Sequence, residues 1–208
     1  MAEVIQLTQR RADRASSAAA GSSPTTLYFD LASPFTYLVA ERVERRVGGA
    51  IWRPAILTGP LAADPDELTK SAQQRALALR MPLVWPERFP SRVPTAMRVA
   101  TYAAEQGCGA PFAIAAGRLA FCGGFDIEDP DIIAEAAAAA GLDVEGALVS
   151  ARDPRRDHQI QMAGRSVGHA GGSSVPALEH ARRLYCGEPH ISALLAQLGS
   201  TAVRPSAG

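Results

Sequence analysis

From residue 26 the chain opens on an unbroken apolar run, Thr26-Leu27-Tyr28-Phe29, which suits a short strand covered on both faces. After Ser33-Pro34 the apolar positions fall at Phe35, Val39, Val43 and Val47, with Glu41, Glu44, Arg45 and Arg46 between them. A spacing of four with charge between predicts an amphipathic helix, and Gly48-Gly49 is its stop signal. The run from Ala50 to Leu57 reads as a second strand, ended by Thr58-Gly59-Pro60. Strand, helix and strand within about 30 residues make a βαβ unit, with parallel strands and a right-handed crossover.

The centre of the chain is patterned for helices. Asp64-Pro65 opens one, the run from Val93 to Gly107 is a second, and Ala110 to Gly124 is a third. Asp129-Pro130 starts a further helix through the alanine run, which has high helix propensity and stops at Gly141. Residues 143–151 and the segment after Asp153-Pro154 complete the block. Strand signals return only in Ala177 to His180 and Arg183 to Cys186, which read as a hairpin followed by a terminal helix. The order is β, α, β, a large helical insertion, then β, β, α. It describes an α/β fold, a thioredoxin-like domain formed by residues 26–59 and 169–200 and split by an all-helical insertion at 60–168. Residues 1–25 and 201–208, rich in Ala and Ser, read as solvated tails.

Composition narrows the function. The apolar fraction of 47% supports a real core, and 21 basic against 21 acidic residues leave no broad positive surface for nucleic acid. The first residues are interrupted by Gln9, Arg10, Arg11, Asp13 and Arg14, which does not fit a secretory signal, and no apolar stretch approaches the roughly 18 residues of a membrane helix. The expectation is a cytoplasmic protein with no nucleic-acid or membrane partner. Cys108, Cys122 and Cys186 are odd in number and never two residues apart, so neither a disulfide framework nor a dithiol pair is expected, and each reads as a small buried hydrophobe. The four histidines lack zinc-like spacing, and no metal is expected.

Ser33 stands where the first strand hands over to the first helix. Ser33-Pro34, Asp64-Pro65, Asp129-Pro130 and Asp153-Pro154 all place a capping residue before a proline suited to the first helical position, so a simple N-cap is the plain reading of Ser33. A role in an active site is the alternative, and the two are compatible. Phe35 fits the core stripe, Tyr37 is a candidate pocket aromatic, and Trp52 and Trp85 read as partly buried structural residues. Arg98 is a candidate for a substrate carboxylate, although a lone helical arginine is more often an ion-pair residue. Asp126 reads as an organiser of the loop before Pro130.

An ordered series of landmarks runs through the chain. These are the stretch from Tyr28 to Leu38, Met81 to Pro90, Thr95 to Arg98, Phe125 to Asp143, and Gly171 to Pro176. Together they resemble the kappa-class glutathione transferases and 2-hydroxychromene-2-carboxylate isomerases, which share the fold of the DsbA disulfide oxidoreductases. In the oxidoreductases a Cys-X-X-Cys pair begins the first helix, and the matching positions here are Ser33, Pro34, Phe35 and Thr36, with no thiol among them.

The resemblance implies glutathione as cofactor, Ser33 as the residue that holds its sulfur as thiolate, and Pro176 as a cis proline that turns the backbone edge of Val175 toward the ligand. The family generally carries Gly-X-Asp-Arg near its end, and this chain has Gly187-Glu188-Pro189-His190, so Glu188 is the counterpart expected to meet the amino end of glutathione. The implied activity is glutathione-dependent isomerisation of an aromatic-catabolism intermediate, with substrate entering between the two domains. A glutathione transferase or peroxidase of the same fold, or a protein that binds without turnover, is the alternative. A homodimer is implied by resemblance only.

The energetics allow a thiolate at Ser33. A free thiol with a pKa of about 8.5 needs about 2 kcal/mol to be half ionised at neutral pH. A helix N-terminus supplies about 0.3–1 kcal/mol, and a hydrogen bond to a charged acceptor about 1.5–3 kcal/mol.

Overall fold

The computed structural model describes residues 24–57 and 64–201. The predicted turn at Thr58-Gly59-Pro60 and most of both tails lie outside these residues. Among the described residues the strands are β1 (Thr26–Phe29), β2 (Ile51–Pro54), β3 (Ala177–His180) and β4 (Arg183–Cys186). Helix α1 (Pro34–Val47) joins β1 to β2. Among the described residues six helices then precede β3: α2 (Pro65–Leu79), α3 (Pro94–Glu105), α4 (Gly109–Phe121), α5 (Pro130–Ala139), α6 (Val144–Ala151) and α7 (Arg156–His169). Helix α8 (Glu188–Thr201) follows the hairpin.

One mixed sheet, ordered β2-β1-β3-β4, carries the fold. β1 and β2 are parallel, with Thr26 opposite Ile51 and Phe29 opposite Pro54, as a βαβ unit requires. β3 runs antiparallel to β1, with Tyr28 opposite Ala177, so strands from either side of the inserted helices meet at the centre of the sheet. β4 closes the hairpin on β3 through a two-residue turn in which Ala181 (φ 48°) and Arg182 (φ 62°) are both left-handed.

Side chains alternate along the strands and give the sheet two unequal faces. Leu27, Phe29, Trp52 and Leu178 point into the larger core with α1, α3, α4 and α8, where Phe29 meets Trp52 edge-on at 5.6 Å. Tyr28, Ala55 and Ala177 point the other way, onto Val167 of α7. The larger core runs unbroken from Leu27 through Met97, Phe112 and Ile133 to Leu195. The inserted helices therefore share the core of the sheet and do not enclose a separate one.

Asp64 and Asp129 accept hydrogen bonds from Asp66 N–H and Asp131 N–H, as N-caps should, and Asp143 does the same for Gly146 N–H. The Asp153 carboxylate likewise accepts from the N–H two residues on, that of Arg155, and also pairs with the Arg155 side chain, while the helix itself starts later, at Arg156.

Candidate active site at the start of α1

The turn from β1 to α1 is held from inside. Asp30 Oδ1 accepts from the N–H of Ala32 at 2.9 Å, and the Asp30 carbonyl accepts from the N–H of Ser33 at 3.1 Å. Leu31, buried at the bend, donates its N–H to Met97 Sδ in the first turn of α3. Ser33 then takes the N-cap position, with φ −90° and ψ 119°, and its carbonyl accepts from Thr36 N–H at 3.0 Å.

The hydroxyl of Ser33 makes no capping hydrogen bond. Ser33 is thus a cap by backbone only, unlike Asp64, Asp129 and Asp143. Its half-buried side chain is left at the positive end of a 14-residue helix, beside the first-turn N–H groups that have no intrahelical partner. One turn on, Thr36 is 2% exposed, and its Oγ1 has no hydrogen-bond partner among the described residues.

The strand partner completes the arrangement. The peptide bond between Val175 and Pro176 is cis. Tyr28 pairs with Ala177 in the antiparallel ladder, so the residues before Ala177 run alongside Phe29 and Asp30. The Pro176 carbonyl accepts from Gly187 N–H at 2.8 Å. The N–H and C=O of half-buried Val175 have no partner among the described residues. An extended ligand backbone lying there would add to the sheet edge within reach of the α1 N-terminus.

Asp30 is an acid at this turn that the sequence did not single out. Burial pushes its carboxyl up to about 6, against the pull of the Ala32 N–H and the Arg92 charge, which lower it. Its signal was present in the Asp-X-X-Ser spacing, where a carboxylate accepts from the N–H two residues on.

Two expectations are corrected. Glu188 does not face a ligand: its side chain is fully buried, and its oxygens are taken by Arg42 at 2.8 Å, by Arg75 at 2.5 and 2.8 Å, and by the Ser192 hydroxyl. Burial alone would raise this carboxyl, but the hydrogen bonds from Arg75, Ser192 and Arg42 outweigh it and hold it at about 2. Arg98 forks onto Asp157 at 2.7 and 2.8 Å, the ion pair that the plain reading of a lone helical arginine expects, and so joins α3 to α7. Cys122 is exposed and Cys108 and Cys186 are only half-buried, so none is the buried hydrophobe expected. Tyr37 is buried and donates to the Pro82 carbonyl at 2.9 Å, which ties α1 to the segment before α3.

The separate sequence landmarks meet behind the turn. Arg88 pairs with Asp126, and Asp126 also accepts from Glu128 N–H. Glu128 reaches across to α3, where it accepts from Ala96 N–H at 3.0 Å and the Thr95 hydroxyl at 2.7 Å. Val93, at the N-cap of α3, offers no side-chain acceptor, so a carboxylate from a distant loop does that work. This braces the helix whose Met97 supports Leu31. A cavity of about 810 Å³ opens elsewhere, along the outer edge of β2 against Trp52, Arg53, Cys108 and Met162, and Ser33 is not on its wall.

The fold and site define a thioredoxin-like protein with serine where a thiol would begin the helix. The sequence profile of the DsbA-like thioredoxin domain matches residues 26–177, and the chain belongs to that family. No curated protein sequence matches the chain.

Among solved structures, a 2-hydroxychromene-2-carboxylate isomerase is similar at TM-score 0.70 and 16% identity, covering 86% of this chain and 96% of that one. A probable DsbA oxidoreductase from Streptomyces coelicolor is similar at TM-score 0.66 and 18% identity, covering 89% and 92%. The cytosolic disulfide reductase DsbM from Pseudomonas aeruginosa, solved with GSH, is similar at TM-score 0.60 and 19% identity, covering 86% and 99%. At these identities the likeness is one of fold.

Proposed function

We propose that this chain is a cytoplasmic, glutathione-dependent isomerase acting on an aromatic-catabolism intermediate of the 2-hydroxychromene-2-carboxylate type. The observation that carries the proposal is the Ser33 hydroxyl, which stands at the N-terminus of α1 without a capping bond, where a redox relative would have cysteine. Bound glutathione would supply a thiolate that adds reversibly to the conjugated substrate. Ser33 donates its hydroxyl hydrogen to the sulfur, and the α1 dipole favours the charged form. Val175, with both backbone groups open beside cis Pro176, pairs with the peptide backbone of the ligand. Asp30, bonded through its backbone to Ser33 and with its carboxyl pushed by burial up to about 6, is the acid at this turn that would take the thiol proton.

Glu188 has no part in this site. Its closed arginine cluster leaves the amino end of glutathione without the expected carboxylate, and that favours a second reading, a binding protein of the same fold without turnover. The two are separated by following 2-hydroxychromene-2-carboxylate with the purified protein, with and without glutathione. Isomerisation that needs both glutathione and Ser33 supports the enzyme. Glutathione binding without conversion of this or related ring-cleavage products supports the binding protein.

A further inference from the structure

We propose that Thr36 is the positioning residue for Ser33, its hydroxyl donating to Ser33 Oγ when Ser33 donates to a bound thiolate. The proposal rests on the glutathione reading of the site and deepens it.

Thr36 occupies the third helical position after the Ser33 cap, so the two residues lie on one face of α1. Side chains of an α-helix lean toward its N-terminus, the end that Ser33 caps, and the bond proposed here is one the two hydroxyls do not make in this structure. A helical threonine usually satisfies its hydroxyl by back-bonding to a carbonyl one turn earlier. Thr101 in α3 does this, donating to the Met97 carbonyl at 3.0 Å. Thr36 does not: its Oγ1 is buried and has no partner among the described residues. An unpaired buried hydroxyl is costly, and valine would fill the same space without the cost.

Only a nearby acceptor makes sense of a hydroxyl here. Thr36 is too deeply buried to meet a ligand itself, whereas Ser33 is half-buried one turn nearer the surface. Ser33 has a single hydroxyl hydrogen. If that hydrogen points at a thiolate, the Ser33 oxygen has lone pairs to accept the hydrogen of Thr36. The chain Thr36 to Ser33 to sulfur polarises each bond in turn and fixes the Ser33 rotor. No proton is transferred, so the thiolate remains the only charge in the chain.

The test is a double-mutant cycle read by the pH dependence of thiolate absorbance in bound glutathione. Thr36→Val should raise the pKa of the bound thiol and weaken thiolate binding by about five- to tenfold. Thr36→Ser should restore both. In the Ser33→Ala background, Thr36→Val should have no further effect, because Thr36 acts through Ser33.

Thr36→Val equal to wild type, or an equal loss with and without Ser33, overturns the positioning role while leaving the glutathione site intact. Wild-type protein that binds no glutathione overturns the functional reading, and the positioning role falls with it.

Discussion

Ser33 and Asp30 are joined through the backbone, the Ser33 N–H donating to the Asp30 carbonyl at 3.1 Å while the Asp30 carboxylate holds the N–H of Ala32. One residue thus fixes where the helix starts and places an acid beside it. The serine hydroxyl needs no part in either bond, which is why it remains available at the helix N-terminus.

Asp30 sets a pH dependence of stability. Its carboxyl is raised from 3.8 to about 6 by burial, so the folded state keeps a proton that the unfolded chain has lost. Stability should therefore fall as pH rises across that interval. Asn in its place can still accept from Ala32. Asp30→Asn should be more stable than wild type at pH 7 by about 1–2 kcal/mol, with the gain vanishing near pH 4. Urea unfolding at the two pH values checks the sign.

Glu188 is the reverse case. Its carboxyl is lowered from 4.5 to about 2, so its contribution is full above pH 4.5 and is lost as pH falls toward 2. Glu188→Gln leaves Arg42 and Arg75 facing a neutral group and should cost about 3–5 kcal/mol at pH 7. The gap from wild type should close in acid, as measured by chemical denaturation between pH 7 and pH 3.

The β3–β4 turn carries two non-glycine residues in the left-handed region, Ala181 and Arg182. Type I′ geometry favours Asn followed by Gly. Ala181→Asn with Arg182→Gly should raise stability by about 0.5–1 kcal/mol, seen as a higher melting temperature.

Gly164 of α7 lies against the backbone of Ile56, and a Cβ there would run into the Ile56 carbonyl. Gly164→Ala should lower stability by about 1–3 kcal/mol, despite the better helix propensity of alanine. A rise in melting temperature would show that α7 shifts freely.

Much of the fold was legible because its signals are local. The stripe of Phe35, Val39, Val43 and Val47, the Asp64 and Asp129 caps, and the two late strands each follow from residues a few positions apart. The site was only partly legible. Ser33 and the Val175-Pro176 pair sit in recognisable local patterns, but the state of the Ser33 hydroxyl depends on its rotamer.

Glu188 was misplaced because its partners, Arg42 and Arg75, lie far away in sequence, and no local pattern tells a buried carboxylate from an exposed one. Asp153-Pro154 resembled the caps around it and makes the same bond to the N–H two residues on, yet α7 starts only at Arg156, two residues after the proline. Cys122 follows the end of α4 and faces outward, which residue type alone does not reveal.

The most direct measurement is calorimetric titration of reduced glutathione into wild-type protein and Ser33→Ala near neutral pH, with thiolate absorbance recorded on the same samples. A thiolate site at Ser33 predicts binding with a thiolate signal in wild type, and loss of that signal in Ser33→Ala with affinity weaker by about tenfold or more. No heat at millimolar glutathione, or an equal thiolate signal in both proteins, would contradict it.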